Sequence, residues 1–338
     1  MKNKTIPLLI IFCIGIVINA NAKIWRVNNN VGVDRDFVNL ANANNSGSVM
    51  AGDTIMIEGS ATKYPNVDIT KKLVIIGPGY FLADNPETQA NLATAHLGNV
   101  DFEIGSDSSI MMGIYCDDID IFTNNITIKR CRVSTPGFED AVIVYSGLNN
   151  IFIMQSYLYS NYSAIYIQNS CSNIFIQNNF IQSQYNNSST YGAIEMYNGS
   201  STANVSHNIL DGSLKIYNSN VSNNIMYDGD LSFSNVTFER NISDNAAFPD
   251  SNNLQNVARD SVFVLTGSND ARFKLKEDPP SPAIGYGSNG EDCGIFGGVD
   301  PYVLSGMPNV PSIYYFNAPS TGSKNDGLPV TIRVRSHK

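Results

Sequence analysis

The chain is short of several residue types that announce chemistry. Among its 338 residues it has one tryptophan, three histidines and five cysteines. No zinc-ligand spacing, phosphate-cradling loop or nucleophile elbow can be assembled from them. Beyond residue 18 no apolar run is long enough to cross a bilayer. Cys116, Cys131, Cys171 and Cys293 are too few and too irregularly spaced for a disulfide scaffold. Bridges, in any of three pairings, and buried free thiols both fit. Basic charge is also scarce: 21 Lys and Arg face 30 Asp and Glu, a net charge of −9. That balance excludes a general nucleic-acid binder. It suits an acidic polysaccharide only where a local basic patch or a bound cation offsets the field.

Residues 1–22, MKNKTIPLLIIFCIGIVINANA, combine Lys2 and Lys4, an apolar run from Ile6 to Ile18 and the small-residue end Ala20-Asn21-Ala22. This pattern reads as a secretory signal peptide. The expected location is secreted, periplasmic or on the outer cell surface, with no membrane span after cleavage. The mature chain would carry a net charge of −11, since only two basic residues and no acids are lost.

What is abundant is asparagine, at 43 residues. Asn is poor in helices and good in turns and left-handed bends, which argues against a helical protein. Six hexads align: IKRCRV (128–133), IMQSYL (153–158), IQNNFI (176–181), VSHNIL (205–210), VSNNIM (221–226) and FERNIS (238–243). Their fourth positions are Cys131, Ser156, Asn179, Asn208, Asn224 and Asn241, and their starts lie 25, 23, 29, 16 and 17 residues apart. Such spacing fits one coil of a solenoid. Between the hexads, AVIVYS, AIYIQN, AIEMYN and LKIYNS alternate with period two, as strands do. The expected fold is all-β: a right-handed, single-stranded parallel β-helix. Asn179, Asn208, Asn224 and Asn241 form a structural ladder at one bend, and handedness follows the rule for parallel crossovers. The longer coils at 134–140 and 182–192 should throw loops from one corner.

Both ends read as caps. A short amphipathic helix around Phe37, Leu40 and Ala41 is expected before a first strand at 54–58. The expected organisation is a β-helix over 23–300 and a terminal segment over 301–338. That segment holds a hairpin of 313–317 with 330–334, lying over the last coil or along its side.

The phrases GDTIMIEG and ITKKLVIIGPGY, the N-I-x-I repeats and the closing FKLKEDPPSPAIGYGSNGEDCGIFGG resemble the pectin-lyase-like parallel β-helix proteins secreted by Bacteroidetes-type bacteria. The resemblance runs over roughly residues 24–335. It implies the fold, and a superfamily of lyases, hydrolases, esterases, tailspikes and adhesins among which fold does not choose. The hydrolases of this group carry clustered aspartates with a Gly-His-Gly, which is missing here.

Three sets of residues could carry function. Lys129, Arg130 and Arg132 form the densest basic cluster in the coils and are candidates for the base or carboxylate clamp of a polysaccharide lyase. Asp118 and Asp120 share a strand face and could hold Ca²⁺; the bland alternative is an exposed charged corner. Tyr162, Tyr166, Tyr185, Tyr191 and Tyr197 fall on successive coils among Asn, Gln and Ser, the composition of a sugar-binding surface. Half-buried ladder tyrosines would read the same way. His207, at the third hexad position, reads as a member of an exposed polar ladder. The preferred reading is a secreted β-helix that binds polysaccharide through a Tyr/Asn-rich face without full catalytic machinery. The alternatives are a lyase on uronate polymers and an adhesin or structural surface protein.

Overall fold

In the computed structural model the described residues are 22–184, 191–249, 252–325 and 327–337. Their strands stack into three parallel sheets of ten, eight and eight strands, giving a right-handed parallel β-helix. Sheet A begins at Ile24–Val27 and ends at Thr237–Glu239, sheet B runs from His96–Leu97 to Ile242–Ser243, and sheet C from Val67–Ile69 to Leu231–Ser234. From Val74 to Ser234 each coil visits A, B and C in turn, whereas between Ile24–Val27 and Thr54–Ile57 the chain runs through a capping helix. Within a sheet, alternate residues face the bore: Val142, Ile165, Ile194 and Leu214 stack in register, all buried.

The hexads mark the corner between sheets A and B. Their third residues, Arg130, Gln155, Asn178, His207, Asn223 and Arg240, all have φ between 51° and 59°. This left-handed bend turns the chain by one residue and points the fourth side chain inward. Asn adopts it at low cost, which explains its frequency there. The fourth residues then form the expected ladder. The side-chain amide of Asn179 donates to Asn208 at 3.0 Å, Asn208 to Asn224 at 3.0 Å and Asn224 to Asn241 at 3.0 Å. Asn241 extends the ladder to Asn253 at 2.9 Å. Each Oδ1 also accepts the backbone N–H of the preceding coil's ladder residue, so buried bend amides are satisfied coil by coil. Ser156 and Cys131 continue the column. A second ladder, Asn125, Asn150 and Asn173, lines the corner between sheets C and A.

The loop at 134–140 leaves from the corner between sheets B and C, and strands Phe180–Ser183 and Ile194–Met196 place 182–192 at that same corner, with 185–190 outside the described residues. Beyond Ala203 the coils are lean because about two residues make each turn: 207–208, 212–213 and 218–219 separate consecutive strands. The 16-residue repeat is a coil stripped of loops.

At the front, the helix Leu40–Asn45 is N-capped by Asn39 and closes the bore with Leu40 and Ala43. The strand Ile24–Val27 precedes it, so the helix is inserted after the first strand and not before it. Phe248 closes the other end. The chain then turns back. Residues 287–307 form a strap that retraces the helix along the A–B corner, bonding the third hexad residues in reverse order. Cys293 reaches the carbonyl of Arg240, Ser288 and Gly294 reach Asn223, and Ile295 and Gly297 accept from Asn178. Asp300 accepts from Gln155, and Met307 from Arg130. A second apolar core lies between this return segment and the outer face of sheet B, around Phe180, Ile209, Ile225, Phe263 and Phe273. The antiparallel hairpin, Ser312–Asn317 with Thr331–Arg335, therefore sits beside the early coils. It is tied to Thr88, Ala90 and Glu87. The four cysteines are buried free thiols.

Candidate functional site

Outward-facing positions of sheet B stack into two rows. The first is His96, Tyr115, Arg132, Tyr157 and Phe180; the second includes Tyr159, Gln182, Asp211 and Tyr227. Parallel register places each about 4.8 Å from the next, which brings together residues scattered over 130 positions of sequence. The His96 and Tyr115 rings are stacked, 3.8 Å between centroids. The Arg132 guanidinium lies over Tyr115 at 4.3 Å and over Phe81 at 4.6 Å. Its Nε is buried without a hydrogen-bond partner among the described residues. Tyr157 stacks on Phe180 at 4.6 Å, and Phe180 on Phe273 at 4.3 Å.

Further along, the face deepens into a cavity of about 370 Å³ lined by Tyr157, Gln182, Asp211, Arg259, Arg272 and Phe273. Gln182 donates to Asp211 at 3.1 Å, and Arg259 lies 3.5 Å from Asp211 and 3.7 Å from Asp228. Burial raises the Asp211 carboxyl above the usual range, against the pull of Arg259. The volume and mixed lining suit a small polar ring.

At the other end, His96 Nε2 sits 2.9 Å from Asp117 Oδ1, while Lys63 pairs with the second Asp117 oxygen. Burial holds the imidazole below its ordinary value, against the hydrogen bond it donates to Asp117. A neutral ring facing a carboxylate carries its proton on Nε2, which leaves Nδ1 as a basic lone pair.

The basic cluster read from the sequence is divided by the fold. Lys129 pairs with Asp300 at 2.7 Å, and Arg130, 2% exposed, donates to Gln155 at 2.8 Å and to the Met307 carbonyl at 2.9 Å. Both face the strap, whereas Arg132 faces sheet B. Asp118 and Asp120 do point away from the bore, flanking the buried Ile119. Asp101, in register with Asp120, adds a carboxyl from the preceding coil, and Glu139 adds one from the corner loop. Burial and this mutual repulsion push Asp118 up to about 7 and Asp101 up to about 6. Among the described residues no group of three or more His, Cys, Asp or Glu is arranged to hold a metal ion.

Tyr162 and Tyr191 stack at 4.2 Å with Phe138 beside Tyr162, forming a rim at the B–C corner. Tyr166 lies on the outer face of sheet C, in register with Ile143 and Glu195, and Tyr197 is 57% exposed at the end of the next strand. Tyr185 lies outside the described residues. His207 is not on an exposed ladder: the strap covers it, and Glu291 lies 3.2 Å from its Nε2.

Asp211, Arg259 and Arg272 do not stand out in the sequence; Tyr157 is one of the tyrosines on successive coils with nothing to rank it above Tyr162 or Tyr166, and His96 and Asp117 read as scattered polar residues. The register of His96 with Tyr115 was a signal, since HLGNV and YCDDI are one coil apart, but they precede the first hexad. The return segment that brings Arg259 and Arg272 has no repeat to align. No protein-family profile matches the sequence, and a search of curated proteins finds no match.

Proposed function

We propose that the protein is a secreted or cell-surface β-helix that binds a polysaccharide along the outer face of sheet B, between the His96 end and the Asp211 cavity. The observation that carries this reading is the row Tyr115, Arg132, Tyr157, which leads into a cavity lined by Gln182, Asp211, Arg259 and Arg272. Aromatic faces stack on sugar rings while amides and guanidiniums take hydroxyls and acidic groups. Tyr115 and Tyr157 are half-covered by Phe81 and the edge of the second core, so the row forms the wall that leads to the cavity at Asp211 and Arg259. The signal-like leader and the resemblance to pectin-lyase-like proteins of Bacteroidetes-type bacteria support the same reading. The rim tyrosines Tyr162 and Tyr191 border the face. Calorimetric titration of residues 23–338 against neutral and uronate oligosaccharides tests it. Binding that weakens at least tenfold in Tyr157→Ala supports the proposal. Absence of binding across the panel sinks it and leaves a structural or adhesive rod.

A second reading, a lyase, is favoured by the His96–Asp117 pair beside Lys63 and Arg132. His96 Nδ1 would take the proton α to a uronate carboxylate held by Arg132. The electron pair forms the new C=C bond and expels the glycosidic oxygen, which takes a proton from water. Unsaturated product that vanishes in His96→Ala would establish it.

A further inference from the structure

Sheet C carries an outward row that polysaccharide binding on sheet B leaves unused. Asp68, Asp101 and Asp120 come from successive coils and are partners in register, each between two buried residues of its own strand. Parallel pairing sets their strands about 4.8 Å apart. Asp118 flanks the buried Ile119 on the same side as Asp120, and Glu139 closes in from the corner loop. Among the described residues no lysine, arginine or histidine is in ion-pair contact with any of these five acids. Asp118 is 7% exposed, and no hydrogen-bond donor among the described residues meets its carboxyl. The charges that act on it most are those of Asp120, Glu139, Asp101 and Asp117. A carboxylate buried among like charges is costly until a cation joins it.

The wall beside the row is aromatic. Phe122 and Tyr145 hold the next outward positions, their rings 4.1 Å apart, and the Tyr145 hydroxyl donates to Asp120 at 3.3 Å. Ile143, in register with Asp120, and Tyr166 beyond it continue the strip without charge. Carboxylates beside ring faces are surroundings that take an organic ammonium group. A bare divalent ion fits poorly, because among the described residues no three acids are arranged to hold one. We propose that this corner binds a linear polyamine, with a terminal ammonium at Asp118, a second between Asp120 and Asp101, and the methylenes against Ile143 and the Phe122–Tyr145 pair. Shape favours this occupant. A carboxylate so little exposed admits an ammonium on a slim methylene stem, whereas an amine borne on a pyranose would bring the whole ring into the corner. Asp118 and Asp120 are two residues apart on one strand, about 7 Å by the strand rise, a separation suited to amines set a few methylenes apart. The net charge of −9 draws a polycation to the surface.

Calorimetric titration of residues 23–338 with spermidine at about pH 8, where the carboxyls are ionised, tests the proposal. The expected result is binding that weakens about tenfold or more in Asp118→Asn and in Asp101→Asn, and that falls as salt rises. Both replacements keep the side-chain shape and remove repulsion, so a melting temperature at or above that of the unsubstituted protein confirms that the fold is intact. Absence of spermidine binding overturns the proposal. So does binding that both variants retain, which is diffuse attraction to an acidic surface, and so does butylammonium that binds as tightly as spermidine. Ca²⁺ or tetralysine that binds the same corner more tightly than spermidine overturns it as well, the first in favour of a metal and the second in favour of a basic peptide.

Discussion

Arg130 and Met307 lie 177 positions apart, yet the Arg130 guanidinium donates to the Met307 carbonyl at 2.9 Å. That bond fastens the returning strap to the A–B corner of the helix, and the strap holds the second core against sheet B. Arg130→Ala leaves the Met307 carbonyl and the Gln155 side chain without a donor in a buried place. The expected loss is about 2–4 kcal/mol in urea unfolding. Faster amide exchange over 293–307 should accompany it, with exchange in the 203–227 coils unchanged.

The ladder makes a second prediction. Asn224 accepts from both the backbone and side-chain nitrogens of Asn208, and donates to Val205, Ser222 and Asn241. Asn224→Ala strands these groups, at an expected cost of about 3 kcal/mol. Asn224→Ser should cost less, because a serine already serves at Ser156, where its hydroxyl accepts the Cys131 N–H at 3.1 Å. Paired denaturation curves check the ranking.

The acidic corner sets a pH dependence. Asp118 and Asp101 have folded values of about 7 and about 6, above the ordinary carboxylate range. The folded chain therefore holds more protons than the unfolded one between about pH 4 and 7. The stability these groups contribute is complete below the unfolded value and is lost as pH rises through 6 and 7. Asp118→Asn should be more stable than the unsubstituted protein at pH 8, by about 1–2 kcal/mol after solvent screening, and should show no gain at pH 4. Melting curves at the two pH values read this directly.

Burial raises the thiols of Cys131 and Cys293 to about 12, and that of Cys116 well above its ordinary value. Native residues 23–338 should resist alkylation at pH 8. All four cysteines should react once the chain is unfolded without reductant, read as four mass additions.

The coils from 128 to 243 were legible because each must repeat the same inward pattern and the same bend. IKRCRV and VSNNIM announce the corner without any structure. The third hexad position was illegible in meaning: Arg130, Gln155, Asn178 and His207 share a backbone conformation, but their side chains answer to the strap, which has no period. The candidate site suffered similarly. Lys129, Arg130 and Arg132 are neighbours in sequence, and the left-handed bend at Arg130 sends Arg132 onto a different sheet. His96 and Asp117 meet only because one coil separates them.

The most direct measurement of the central claim is the affinity of residues 23–338 for a polysaccharide panel, beside Tyr157→Ala and Arg132→Ala. The expected result is binding to at least one glycan, weakened at least tenfold by each substitution, with Tyr197→Ala, on sheet C, nearly unchanged. Binding that ignores Tyr157 and Arg132 but is lost in Tyr197→Ala would move the site to sheet C and contradict the account.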